Sequence, residues 1–207
     1  MKNLPVMRFA ALGFVVSMTS FMFLDEIVYH LTLATEDDMR VFWDRVTDLG
    51  DSAWMGVATI SAWVLAMLLT RFYPQNPRWK QHARQSIFVF AAVAMPGVAA
   101  MIIKGFIGRA RPYLYDEIGP FGFDPLSFQS TYASWPSGHT TTAFAFAIAL
   151  SLLFSRAKYI LLPLAFLAGY SRMALGAHYL ADVIMGATIG TIGAILVYRW
   201  LAQKLKI

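Results

Sequence analysis

The sequence predicts an all-α, polytopic membrane protein: six transmembrane helices with a short interfacial helix in the first outer loop. Three observations carry that prediction. The 207 residues are 58% hydrophobic and only 14% charged, against about 25% charged in an ordinary soluble domain. Charge-free apolar runs recur along the whole chain, and the charges between them sort by sign. The composition also excludes a disordered chain, because 16 Phe, 9 Tyr and 6 Trp beside so little charge would collapse rather than stay solvated. With no cysteine, disulfide frameworks, thiolate nucleophiles and cysteine-ligated metal sites are excluded as well.

The six runs are Phe9 to Leu24, Ala53 to Thr70, Ser86 to Ile103, Thr140 to Ser155, Tyr159 to Ser171 and Val183 to Tyr198. A helical crossing needs about 17–25 residues, so the shorter runs must continue into flanking polar residues such as Asp25, Lys104, His139, Arg172 and Asp182. The first run follows Lys2 and Arg8 and lacks a small-x-small cleavage site before Asp25 and Glu26, the pattern of a retained anchor rather than a secretory signal. Asp25 to Ser52 sets Val41, Phe42, Val46 and Leu49 among acids and arginines, which suits an amphipathic helix in the interface. Arg71 to Gln85 reads as a basic loop, and Pro96-Gly97 is expected to bend the third span. The aromatic, turn-rich stretch Ile118 to Trp135 reads as an interfacial loop, with a gate over a pocket as the alternative. Gly186-x-x-x-Gly190 suits close helix packing in the last span. No repeat or linker divides the chain, so residues 1–207 are expected to form one domain.

Basic residues in short loops are retained in the cytoplasm, so sorting the charges orients the bundle. One side collects 11 of the 17 basic residues and none of the 12 acids: the N-terminus, Arg71 to Gln85, Arg156 to Lys158 and the C-terminal tail. The other side holds Arg40, Arg45, Lys104, Arg109, Arg111, Arg172 and every acid. Both termini are therefore expected to be cytoplasmic. The loops after spans one, three and five face the opposite compartment.

Three clusters of polar residues lie at span ends on that acid-bearing side, where ionisable groups are costly and tend to mark function. In Lys104-Gly-Phe-Ile-Gly-Arg-Ala-Arg111-Pro112, the two cations lie about two turns apart at ~3.6 residues per turn, so both can project from one helix face towards a multiply charged anion. A basic helix end meeting lipid head groups is the plainer reading. In Ser134-Trp135-Pro136-Ser137-Gly138-His139-Thr140, a helix start offers free N–H groups to an anion, with His139 as an acid or base beside it. A simple helix cap would use the same residues. In Ser171-Arg172 through His178 to Asp182, the histidine and carboxylate are four apart, hence neighbours on a helix face, and a carboxylate on one ring nitrogen leaves the other as nucleophile or base. Three cations, a helix start, two histidines and one orienting carboxylate together read as a phosphate pocket with a nucleophile and an acid.

This spacing resembles that of the type 2 phosphatidic acid phosphatase superfamily, membrane lipid phosphatases related in fold to vanadium haloperoxidases. Its signature is Lys, six residues, Arg-Pro; then Pro-Ser-Gly-His; then Ser-Arg, five residues, His, three residues, Asp. Lys104 to Pro112, Pro136 to His139 and Ser171 to Asp182 meet every spacing. The resemblance implies that Lys104, Arg111 and Arg172 bind phosphate, with Ser137 and the Gly138 backbone completing the cradle. It implies that His178 forms a phosphohistidine, that Asp182 holds its ring, and that His139 protonates the leaving oxygen and then assists a water. No metal or other cofactor is implied, since fixed cations and helix N–H groups can supply the electrostatic stabilisation.

The expected partners are membrane lipids and a lipid phosphate substrate, with no nucleic acid: phosphatidylglycerophosphate, phosphatidic acid, undecaprenyl pyrophosphate or a lipid A phosphate. The expected location is a bacterial inner membrane with the site facing the periplasm. Three other readings compete: a lipid-to-lipid phosphotransferase using the same site, a transporter or lipid-binding protein with a degenerate site, and a vanadate-dependent haloperoxidase. The presence of both histidines and the aspartate weighs against the transporter, and the apolar spans weigh against the haloperoxidase.

Overall fold

Apolar helices interrupted by brief polar connections dominate the computed structural model, which describes residues 5–33 and 36–205. Lys2 and Lys206, counted above on the basic side, lie outside the described residues. The helices are α1 (Val6–Phe23), α2 (Asp25–Thr32), α3 (Asp37–Thr47), α4 (Ser52–Phe72), α5 (Pro77–Ile107), α6 (Tyr115–Ile118), α7 (Gly138–Leu153), α8 (Lys158–Ala174) and α9 (Leu180–Leu205). An isolated antiparallel bridge joins Arg109 to Phe123. Among the described residues α1, α4, α5 and α9 are long and apolar enough to cross a membrane. The remaining two expected spans are shorter, with α7 at 16 residues and α8 at 17.

Helix α7 is the hub, packed against α5, α8 and α9, while α1 lies on α9 and α4 on α5. Small side chains make this possible. A Cβ on Gly186 would fall 2.5 Å from the Ser137 carbonyl oxygen, and one on Gly190 2.2 Å from that of Thr141, so α9 meets the α7 backbone directly. Around these contacts Phe88, Val89, Ile148, Leu152 and Ile195 form the buried core with Ala92, Ala145, Ala149 and Ala194. Large apolar residues of α1 and α4, among them Leu12, Val15, Val57, Ile60 and Leu68, are exposed instead. That inversion suits helices whose outer solvent is lipid, which offers no hydrophobic reason to bury them.

Two expectations change. The basic stretch 71–85 is mostly helix: Pro77 opens α5, and the Asn76 side chain caps it by accepting from the Arg78 N–H. Helix α5 runs on through Pro96, whose ring lies against Gly193 of α9. The first outer loop holds two helices rather than one, because Asp25 opens α2 as a buried residue before the amphipathic α3 begins. Val41 and Phe42 of α3 are exposed, while its Trp43 packs on Tyr170 of α8.

The aromatic stretch after α6 is pinned to the end of α5. Gly108, at φ +62°, ends α5 in the left-handed conformation that glycine adopts without penalty, and its carbonyl accepts from the Asp124 N–H. Leu126 N–H donates to the Gly105 carbonyl, and the Phe128 ring covers Gly105. Phe121 and Phe123 pack edge-on against Phe21 of α1.

Candidate active site

The C-terminal ends of α5 and α8 and the N-terminal ends of α7 and α9 converge, and the three polar clusters meet there. Ser137 starts α7 by capping it: its hydroxyl oxygen accepts from the Thr140 hydroxyl at 2.9 Å, while its own N–H donates to the Asp182 carbonyl. The Ser137 hydroxyl thus acts as the helix cap, and Gly138 and His139 carry the first N–H groups of α7.

Lys104 stands in the last turn of α5, and its Nζ donates to the Ala133 carbonyl at 2.9 Å. A Cβ on Gly138 would lie 3.7 Å from that Nζ, so the ammonium sits beside the α7 start. Arg111 does not share a helix face with Lys104 as expected, because Gly108 has already ended the helix and Arg111 lies in extended backbone. Tertiary folding restores the pairing: the charges of Lys104 and Arg111 both act on His139 and on His178. Arg172, in the last turn of α8, donates to the Thr47 hydroxyl at 2.7 Å. Among the described residues none of these three cations is in an ion pair, and the buried Nε atoms of Arg111 and Arg172 have no hydrogen-bond partner. Buried N–H donors left open in this way suit an anion with several acceptor oxygens.

His178 lies just before α9 rather than on it, after a turn in which Gly176 takes φ +64°. Asp182, in the first turn of α9, still reaches it: Nδ1 and Oδ2 are 3.5 Å apart. The same oxygen accepts from the Ser134 hydroxyl at 2.5 Å and from the Tyr179 N–H at 2.8 Å, and Oδ1 accepts from Arg109 at 2.7 Å. With Nδ1 turned towards the carboxylate, Nε2 is the ring nitrogen left for substrate. Burial pushes the His178 imidazole well below its ordinary value and the charges of Lys104 and Arg111 push it further, while Asp182 opposes them. The ring is thereby held neutral, with a free lone pair.

Sequence reasoning missed what stands behind Asp182. Arg109 is 1% exposed and bridges two carboxylates, Asp182 on one side and Asp25 of α2 on the other, each at 2.7 Å. Its guanidinium also lies over the rings of Phe21 and Tyr179. One arginine of the Arg109-Ala110-Arg111 triplet is thus buried with partners while the other is left open, a difference that identical side chains cannot announce. Thr47 and Gly50 were missed too. The Gly50 carbonyl accepts from the Thr142 hydroxyl at 2.5 Å, and Gly50 lies against His139, so the first outer loop forms a wall of the site.

A cavity of about 430 Å³ opens between α4, α5 and α7. Gly138 and His139 line its polar end, and Met55, Val93, Val98 and Met101 line its apolar length. His178 does not line it.

The PAP2 superfamily family model matches residues 85–206. This chain belongs to the PAP2 superfamily. All three clusters of the site fall within the matched region, whereas Asp25, Thr47 and Gly50 lie ahead of it. Among curated relatives of this PAP2 protein, the lipid A 1-phosphatase of Rhizobium johnstonii is 35% identical over 154 residues, covering 71% of this chain and 62% of that protein. The chain thus spans about six-tenths of the length of that relative. The crystal structure of Aquifex aeolicus LpxE superposes with a TM-score of 0.59 at 26% identity, covering 84% of this chain and 93% of that one. A PAP2-type phosphatidylglycerolphosphate phosphatase from Bacillus subtilis superposes with a TM-score of 0.63 at 20% identity over 94% of each chain, a likeness of fold. This PAP2 protein is a multi-pass membrane protein.

Proposed function

We propose that this protein is a lipid phosphatase that removes phosphate from a membrane lipid through a phosphohistidine on His178. The observation that carries the reading is the pairing of a neutral, carboxylate-backed histidine with three cations that, among the described residues, are in no ion pair. Lys104, Arg111 and Arg172 hold the phosphate oxygens together with the Gly138 and His139 N–H groups. Nε2 of His178 bonds to phosphorus as the bond from phosphorus to the lipid oxygen breaks, and that oxygen takes its proton from His139. A bound phosphate dianion beside His139 favours the protonated ring that this step needs. Asp182 meets the positive charge left on the phosphorylated imidazole. A water then gives a proton to His139 and attacks phosphorus, and the nitrogen–phosphorus bond breaks to release phosphate.

The apolar cavity leading away from His139 supports an amphiphilic substrate whose tail stays among the helices. The relative named lipid A 1-phosphatase makes a lipid A phosphate the first substrate to try. We read α7 and α8 as the fourth and fifth of six crossings, with both termini cytoplasmic and the site facing the periplasm of a bacterial inner membrane. The segregation of every acid away from the basic side supports that orientation. The decisive experiment is phosphate release in detergent from a panel of lipid A, glycerophospholipid and polyprenyl phosphates. The parent should release phosphate from at least one, and His178→Ala should lose about 10⁴-fold or more of that rate. Full activity in His178→Ala would sink the mechanism. A cysteine introduced at the exposed Gln129 should react with an impermeant thiol reagent in intact cells, and one at Asn76 should not.

A further inference from the structure

Asp25 lies 157 positions before Asp182 and outside the three clusters, yet it closes the same network. It is 1% exposed, at the head of α2. Oδ2 accepts from Arg109 at 2.7 Å, and Oδ1 accepts from the Ala181 N–H at 2.8 Å and from the Ser20 hydroxyl at 3.0 Å. The Ala181 N–H is one of the open donors of the first turn of α9, the turn that carries Asp182. Asp25 therefore grips the catalytic helix start twice, once through its backbone and once through Arg109. In an isolated buried pair, Arg109 would neutralise Asp182. With Asp25 added, the Asp25–Arg109–Asp182 cluster carries one net negative charge, matched to the positive charge that His178 acquires.

We infer that Asp25 is a positioning residue for the reaction: by engaging Arg109 it orients Asp182 and leaves the cluster one negative charge with which to stabilise the His178 imidazolium. This rests on the phosphohistidine reading, and its readouts are separable from that reading. Asp25→Asn keeps the shape and an oxygen for Ala181 and Ser20 but brings the cluster to zero charge. Its kcat should fall about tenfold to hundredfold, the loss of one to two pKa units of charge stabilisation, with KM within about twofold of the parent. The double variant Asp25→Asn/Arg109→Gln restores one net negative charge and should recover part of the lost kcat. A merely structural Asp25 predicts the opposite, a double variant no better than the single one.

The His178 ring faces Asp182, itself held by Arg109, from behind, and feels the charges of Lys104 and Arg111 from the phosphate side. Its titration, followed by ¹⁵N NMR in detergent, reads the same charge without turnover. It should move to lower pH in Asp25→Asn and back in the double variant. Should Asp25→Asn fail to fold, Arg109→Lys is the second variant: it keeps the cluster's net charge, but an ammonium cannot fork between two carboxylates, so a fall in kcat at unchanged KM with an unshifted His178 titration is expected and reads the orienting part of the role. Phosphate release by the parent and its loss in His178→Ala judge the phosphatase reading. An active parent beside an Asp25→Asn of equal kcat and unshifted His178 titration overturns the role of Asp25 alone.

Discussion

Arg109 and Arg111 are two residues apart and chemically identical, and the structure uses them in opposite ways. Arg109 sits behind the nucleophile, 1% exposed, with both arms on carboxylates. Arg111 stands in front with Lys104 and Arg172, where, among the described residues, none of the three cations is ion-paired. In the rear cluster both arms of Arg109 are ion-paired, although its buried Nε has no hydrogen-bond partner, and the cluster holds the 178–182 segment in shape. The front cluster has open donors on Arg111 and Arg172, which the bound phosphate fills in the proposed reaction. Removing the rear cation while both carboxylates remain should therefore damage the fold, whereas removing one from the front should damage binding.

The largest expected effect tests the rear. Arg109→Met would strand two buried carboxylates, a loss of about 3–5 kcal/mol for a broken buried pair. It should appear as a collapse of detergent-extracted yield and thermal stability along with activity, and a stable Arg109→Met would break the comparison. Next comes the front: Arg111→Ala should keep the parent's thermal stability and lose about 10²–10³-fold in kcat/KM, with weaker inhibition by inorganic phosphate. Ser134→Ala falls between the two regions, since its hydroxyl donates to Asp182 at 2.5 Å while facing His178. A loss of about tenfold in kcat with little change in KM is expected, matching one hydrogen bond to a charged group.

The smallest effect is on pH stability. Because His178 is held below its ordinary value of 6.5 in the folded state, the unfolded chain takes up the proton first as pH falls. The stability this contributes is whole above pH 6.5 and drains away below it. Thermal unfolding of the parent should thus decline more steeply on acidification than that of His178→Asn, and parallel curves would contradict a buried neutral ring.

How much of this was legible beforehand follows from how local each signal is. The spacings of Lys104 to Pro112, Pro136 to His139 and Arg172 to Asp182 are local, and all three clusters do converge on one end of the bundle. The expectation of a shared helix face for Lys104 and Arg111 failed because a single glycine, Gly108, turns the chain out of the helix between them. The His178–Asp182 pair keeps its contact although His178 precedes the helix, because the turn at Gly176 sets the ring back against the first turn of α9. Asp25 passed for a polar flank of the first span. Nothing in its neighbourhood along the chain distinguishes a carboxylate facing water from one that meets Arg109.

Composition alone determined that the chain lives in a membrane, because 14% charge cannot coat a water-soluble surface of this size, and motif spacing singled out the residues proposed to carry phosphate chemistry. Tertiary structure decided which cations are open and which are matched. Whether a charge is satisfied depends on partners brought from distant helices, as Asp25 and Asp182 are brought to Arg109, and no local pattern encodes that meeting.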